Sequence, residues 1–259
     1  MARAIWNGVI TFGMVSIPVG LYTATQEKDL RFNQIHEVCG SRIKLQKYCP
    51  VCEKVVEAGE LVKGYEYSKG MYVLLKDEDF EELPVVSKHT IDVAAFVKRE
   101  QVDPLYFDAS YYLKPEDVGR KPYKLLMTAL VDKDVVAVAK IAMRSKEQLC
   151  LLRPGDGVII METLYYPDEI RQPEVAGVED VKVDPKELKM AESLVDLLSE
   201  DFSPTEYKDE YREKLIEVIE AKAQGKELTE APVPEQARVI DLMDALKASL
   251  ENAKKKKAS

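Results

Sequence analysis

Through the first 170 or so positions, apolar residues come in short runs of β-branched and aromatic type, each closed by glycine, proline or a cluster of charge. "RAIWNGVITFGMVSIPVGLY" is of this kind. Gly8, Gly13, Pro18 and Gly20 punctuate it too closely for one continuous apolar element, so it reads as short strands joined by turns. "TIDVAAFV", "LYFDASYYL", "VVAVAKIAM" and "GVIIMETLYY" share that strand-forming composition, and "LVKGYEYSKGMYVLL" adds a hairpin turning at Ser68, Lys69 and Gly70. A short acidic helix is expected near Asp77, its carboxylates gathered at a solvated helix start rather than at a cation site. One longer helical run interrupts the strands: in "GRKPYKLLMTALVDK", Pro122 stands at the start and Tyr123, Leu126, Met127 and Leu130 recur at helical spacing. So many short strands in one region predict a barrel or a sandwich.

The period changes after Val183. "DPKE" at 184–187 and "SPTE" at 203–206 each offer a cap, a proline at the first helical position and a glutamate two residues later. Two helices are predicted. The first buries Leu188, Ala191, Leu194, Val195 and Leu198; the second aligns Tyr207, Tyr211, Leu215, Val218 and Ile219 until Gly225 closes it. "GKELTEAPVPEQ" then reads as an extended linker, because Pro232 and Pro234 forbid helix and little is available to bury. Beyond it Val239, Leu242, Met243, Leu246 and Leu250 restore helical spacing in a short helix with one apolar stripe, which runs into Lys254, Lys255, Lys256 and Lys257. A helix of that length is marginal alone in water, so it is expected to finish folding on a partner. The organisation read from the chain is a β-rich core over 1–175, a helical arm over 184–225, a linker over 226–237, and a docking helix with lysine tail over 238–259.

Length permits a large core, and the four cysteines are too unevenly spaced for a disulfide framework, which points to reduced thiols and a cytoplasmic setting. The interrupted start argues against a secretory leader or a membrane span. Net charge is −9, which by itself argues against nucleic acid, but the charge is divided. Residues 174–253 carry 21 acidic and 10 basic side chains, leaving the first 173 near neutrality. Within that part lie two basic islands: Arg42, Lys44, Lys47 and Lys54, then Lys140, Arg144 and Lys146 with Arg153 beyond. Either set alone is more often a solvated face than a binding site.

The first island surrounds "HEVCGSRIKLQKYCPVC". His36, Cys39, Cys49 and Cys52 follow the pattern H-x2-C-x9-C-x2-C, two tight pairs across a short loop, which suits one structural zinc per chain. Ordinary thiols and a redox pair are the other readings, the redox one lacking its strand-and-helix context. Four protein ligands would leave no open position for catalytic water. Cys150, in "EQLCLLRP", reads as a core thiol, and His89, the only other histidine, as structural. No phosphate loop, nucleophile elbow or zinc-protease motif occurs, so an enzyme is not expected.

"RAIWNGVITFGMVSIPVGLYTAT" closely resembles the start of the bacterial Ku proteins, and the likeness continues through "FNQIHE", "GSRIKLQKYCPVCEKVVEAGELVKGYEYSKGMYVLL", "DPLYFDASYYLKPE", "KLLMTALVDKDVVAVAKIAMRSKEQLCLLRP" and "DLMDALKASL". The resemblance implies a mixed β and α fold, a β-barrel core whose bridging segments from two subunits form a ring, followed by a helical arm. It implies a non-enzymatic, nucleoid-associated homodimer that binds double-stranded DNA ends without regard to sequence in non-homologous end joining. The C-terminal helix would recruit DNA ligase D, and the lysine tail would touch DNA. The tail "AKKKKAS" is shorter than in some relatives, and the cysteine cluster is not general to the wider family. The competing reading is a zinc-knuckle regulator that prefers one duplex sequence; a metal-dependent hydrolase ranks below it.

Overall fold

A computed structural model of the chain describes residues 3–76, 78–79, 89–143, 146–173, 181–225 and 242–257. The chain divides into two compact units, Met1–Gln172 and Pro173–Ser259.

The first unit is built on a closed seven-stranded barrel. Its strands are β1 (Trp6–Phe12), β2 (Val15–Thr23), β7 (Thr90–Val97), β8 (Phe107–Pro115), β9 (Val136–Met143), β10 (Lys146–Pro154) and β11 (Ile159–Leu164), in the order β1-β2-β8-β11-β10-β9-β7. All neighbours are antiparallel except at the seam, where β1 and β7 run parallel with Val9 opposite Thr90 and Thr11 opposite Asp92. The seam demands close approach. A Cβ at Gly8 would collide with the carbonyl oxygen of His89 and with the Trp6 indole, so glycine is the residue the geometry admits there. His89 in turn accepts from the Val9 amide at 2.9 Å and donates through Nδ1 to the Asn7 carbonyl at 3.2 Å, a structural role. Thr11 donates to Asp92 across the same seam.

Alternation along each strand sends one set of side chains inward: Ile17, Val19 and Leu21 of β2 are buried, as are Ile159 and Met161 of β11. Each such isoleucine or leucine contributes about 1.5–3 kcal/mol. Helix α1 (Arg120–Lys133) adds Tyr123, Leu126 and Leu130 to that core, with Met127 packed beside it, so the predicted face is the observed one. Its C-cap, Asp134, adopts the left-handed conformation and closes the helix. Cys150 lies fully inside, and burial pushes its thiol far up.

Between β2 and β7 the chain leaves the barrel. It forms β3 (Tyr48–Cys49), β4 (Lys54–Val55), β5 (Lys63–Ser68) and β6 (Met71–Leu75), the last two a hairpin turning at Gly70, whose φ of 78° supplies the left-handed residue the turn needs. No residue from 24 to 76 is buried. The acidic helix expected near Asp77 lies largely outside the described residues; Glu78 and Asp79 within it are helical.

The second unit contains α2 (Pro185–Leu198), α3 (Glu210–Ala223) and α4 (Leu242–Lys257). Asp184 caps α2 by accepting from the Lys186 amide at 2.7 Å, with Pro185 at the first position, as the sequence predicts. The second helix begins later than expected: "SPTE" forms a single 3-10 turn at Pro204–Glu206, and Asp209 caps α3 by accepting from the Arg212 amide. The buried stripes also need correcting. No arm residue is fully buried, and Leu188, Val195 and Leu198 are exposed; Met190, Ala191, Leu194 and Leu197 are the half-buried row of α2. Two apolar rows flank that helix, and periodicity cannot say which one a neighbour takes. In α3 Leu215 and Val218 are half-buried while Tyr211 and Ile219 are exposed, as is Tyr207, which precedes the helix rather than belonging to it. The predicted linker and Val239 lie outside the described residues.

Candidate nucleic-acid interface

The segment 24–76 carries nine basic and seven acidic residues in a chain whose net charge is −9, so it is a locally positive exception. Arg42, Lys44 and Lys47 are exposed, and none of the three makes an ion pair among the described residues. Lys54 differs. It pairs with Glu60 at 2.7 Å, and that ammonium, with the Glu57 amide, holds the Glu60 carboxyl below its usual range. Three unengaged cations therefore cluster within six positions beside the cysteines.

The described members of the second island are already paired. Lys140 pairs with Glu147 at 2.9 Å, which raises the lysine, and Lys146 pairs with Glu169 at 3.3 Å. Glu169 is lowered, first by the Tyr166 amide and then by Lys146. Arg153 meets Glu162 at 2.9 Å, both largely buried. Arg144 lies outside the described residues. Lys140 meets Glu147 because β9 and β10 are antiparallel neighbours, and Arg153 meets Glu162 because β10 and β11 are, a juxtaposition that charge counting along the chain does not reveal.

Lys254 and Lys255 are exposed near the end of α4, where cations favour the helix dipole; Lys256 and Lys257 continue the helix, their side chains outside the described set. The stripe Met243, Leu246 and Leu250 is half-buried, and α4 packs along α2, so the helix expected to finish folding on a partner already has a neighbour within its own unit. Leu242 stays 60% exposed.

Sequence reasoning missed the apolar load of the excursion. Phe32 is 70% exposed, Leu45 and Val51 90%, and Leu74 64%, and Tyr65, Tyr67 and Tyr72 stand out from the β5–β6 hairpin. The available signal was an apolar residue on both faces of one hairpin, which has no single side to put inward. The cysteine cluster resolves into two pairs. His36 Nδ1 lies 3.1 Å from Cys39 Sγ, and Cys49 lies against Cys52, while no three ligating side chains converge among the described residues.

An apolar recess of about 490 Å³ opens on the barrel between Phe12, Phe96, Leu125 and Val135, with Lys133 its one charged lining residue. Among the described residues no helix is long and apolar enough to cross a membrane.

The sequence profile of the "Ku70/Ku80 beta-barrel domain" matches residues 11–190. Proteins named "Non-homologous end joining protein Ku" are similar over nearly the whole chain. That of Symbiobacterium thermophilum is 47% identical over 99% of this chain and 65% of its own length, and that of Heliobacterium modesticaldum is 43% identical over 98% and 93%. That of Bacillus subtilis is 40% identical over 98% of this chain and 83% of its own. The chain thus spans just under two thirds of some relatives and most of others. With the closed barrel matching the profile and the relatives matching nearly end to end, the chain belongs to the Ku family.

Proposed function

We propose that the protein binds double-stranded DNA ends in non-homologous end joining, as a homodimer whose two excursions close into a ring, and that it is not an enzyme. The observation that carries this is the segment 24–76: not one of its residues is buried, yet it displays large apolar side chains and three unengaged cations together. A folded chain exposes that much apolar surface when a second surface covers it. A second copy supplies the complement by two-fold symmetry, and Arg42, Lys44 and Lys47 of both copies then offer phosphates a positive wall. Phosphates repeat identically in every sequence, so such a wall holds duplex without reading bases. Selectivity for ends comes from topology, because a closed ring admits only a free end.

The names of these relatives support the pathway. DNA ligase D is the partner we assign to α4, through Leu242, Met243, Leu246 and Leu250 together with Val239 ahead of it, and the lysines at the helix's end would add a second phosphate contact.

The test compares a linear duplex with a covalently closed circle of the same sequence at fixed salt, with sedimentation of the free protein alongside. Preference for the linear form by a dimer is expected. Equal affinity for both removes the threaded ring, and preference for one duplex sequence over random DNA of equal length favours the zinc-knuckle regulator.

A further inference from the structure

Two pieces of the excursion repeat one backbone design thirteen positions apart. In the first, Ile35 bridges Arg42, the His36 amide donates to the Ser41 carbonyl at 2.9 Å, and the Gly40 amide donates to the His36 carbonyl at 2.8 Å. In the second, Tyr48 pairs with Val55, Cys49 with Lys54, and the Val56 amide donates to the Lys47 carbonyl at 2.9 Å. Shifting 35, 36, 39, 40 and 42 by thirteen gives 48, 49, 52, 53 and 55, and each position keeps its part. The first ligand-type residue follows a bridging residue, the second comes three later, and the next residue is left-handed: Gly40 at φ 67° and Glu53 at φ 49°.

Glu53 is informative because a glutamate pays for that conformation where glycine does not. Only one other non-glycine among the described residues has positive φ, the helix cap Asp134. Nothing apolar holds the turn at Glu53: β3 and β4 are two residues each, and none of their side chains is buried. A two-stranded piece of that size does not stand alone in water. Something other than a hydrophobic core must stabilise both turns, and the sulfur environment indicates what. The amides of Val51 and Cys52 point at the Cys49 sulfur, and the Ser41 amide and hydroxyl at that of Cys39, so each turn wraps its backbone around a sulfur. The 3.1 Å from His36 Nδ1 to Cys39 Sγ approaches the roughly 3.5 Å kept by two donors of one tetrahedral zinc.

We infer that residues 34–56 form a zinc ribbon in which the two turns close on one zinc ion per chain, held by His36 Nδ1 and the sulfurs of Cys39, Cys49 and Cys52. Each turn is a preformed two-ligand half-site; the two halves do not converge among the described residues, so the metal would have to draw them together across the segment between Cys39 and Cys49. Binding releases the three thiol protons to water and leaves a site of net charge −1, which Arg42, Lys44, Lys47 and Lys54 surround. The metal takes the place of the core this segment lacks. The inference does not depend on what the protein binds.

The test is metal content of the full chain by mass spectrometry, with cobalt exchanged for zinc and its visible spectrum recorded. One zinc per chain is expected, with the intense ligand-field bands of a tetrahedral site and sulfur charge transfer. Cys39→Ser and Cys52→Ser should each lose the metal, Cys150→Ala should keep it, and far-UV dichroism should show the barrel intact in all of them. Zinc retained in either serine variant, one zinc per two chains, or a Cys49–Cys52 disulfide in protein purified without reductant would each overturn the assignment.

Discussion

Tyr123 shows how one side chain ties a helix to a barrel. Its hydroxyl accepts from the Ile159 amide at 2.5 Å and donates to the Leu113 carbonyl at 2.6 Å, the two backbone groups that face each other between β8 and β11. Both partners are buried residues, and burial, the largest influence, raises the phenol. Tyr123→Phe would keep the ring's packing and strand an amide and a carbonyl without their shared partner, at a cost of about 2 kcal/mol. Thermal unfolding should fall by roughly 4–8 °C in a unit of this size, and an unchanged midpoint would show that water takes over both bonds. Cys150 makes a second residue-level prediction. After chelation, a thiol-exchange reagent should modify Cys39, Cys49 and Cys52 at once and reach Cys150 only in denaturant, because that sulfur is fully enclosed and its thiolate strongly disfavoured. Both residues were legible in the chain, Tyr123 from helical spacing and Cys150 from its apolar neighbours. Gly8 was read only as punctuation, since the carbonyl that excludes a side chain there belongs to His89, the residue before β7 and about eighty positions away.

At the scale of elements, local pattern and long-range pairing part company. β7 matches its sequence run end to end and α1 buries its predicted face, because composition and period are properties of the segment itself. The closing of β1 on β7, the pairing of Lys140 with Glu147, and the row of α2 that α4 covers are decided by what lies opposite, and no window of the chain contains that. The same distinction sharpens the docking proposal. Met243, Leu246 and Leu250 are half-buried where α4 meets α2, whereas Leu242 points away. Leu246→Glu would therefore loosen the helix pair and remove any docking surface together, while Leu242→Glu leaves the pair and changes only what a ligase would touch. If α4 recruits the ligase, Leu242→Glu should cut stimulation of end joining about tenfold, the cost of about 1.4 kcal/mol at one buried leucine, with end binding unchanged. Stimulation lost in Leu246→Glu but intact in Leu242→Glu, with a lowered melting point in the former, would assign the stripe to packing alone.

For the whole molecule, charge matters by whether it is spoken for. Net charge of −9 describes the chain as an average, yet a duplex arriving at the excursion meets Arg42, Lys44 and Lys47 with no carboxylate partner among the described residues. Lys140 and Lys146 are cations of the same formal charge that already hold Glu147 and Glu169. A phosphate displaces condensed counterions only against a cation free to take their place, and each such contact steepens the fall of log affinity with log salt by about 0.9. In a two-fold ring every residue counts twice. Replacing Arg42, Lys44 and Lys47 together by alanine should flatten the slope by about 5, weaken binding equally on unrelated sequences, and leave the barrel's melting unchanged, since no residue of that segment is buried. Lys140→Ala should hardly alter the slope, because it removes a cation that was neutralised and exposes Glu147. Titrations of a short linear duplex at four or five salt concentrations decide it: a slope equally shallow in both variants would place the DNA against the barrel strands, and an unchanged slope in the triple variant would take the excursion out of the interface.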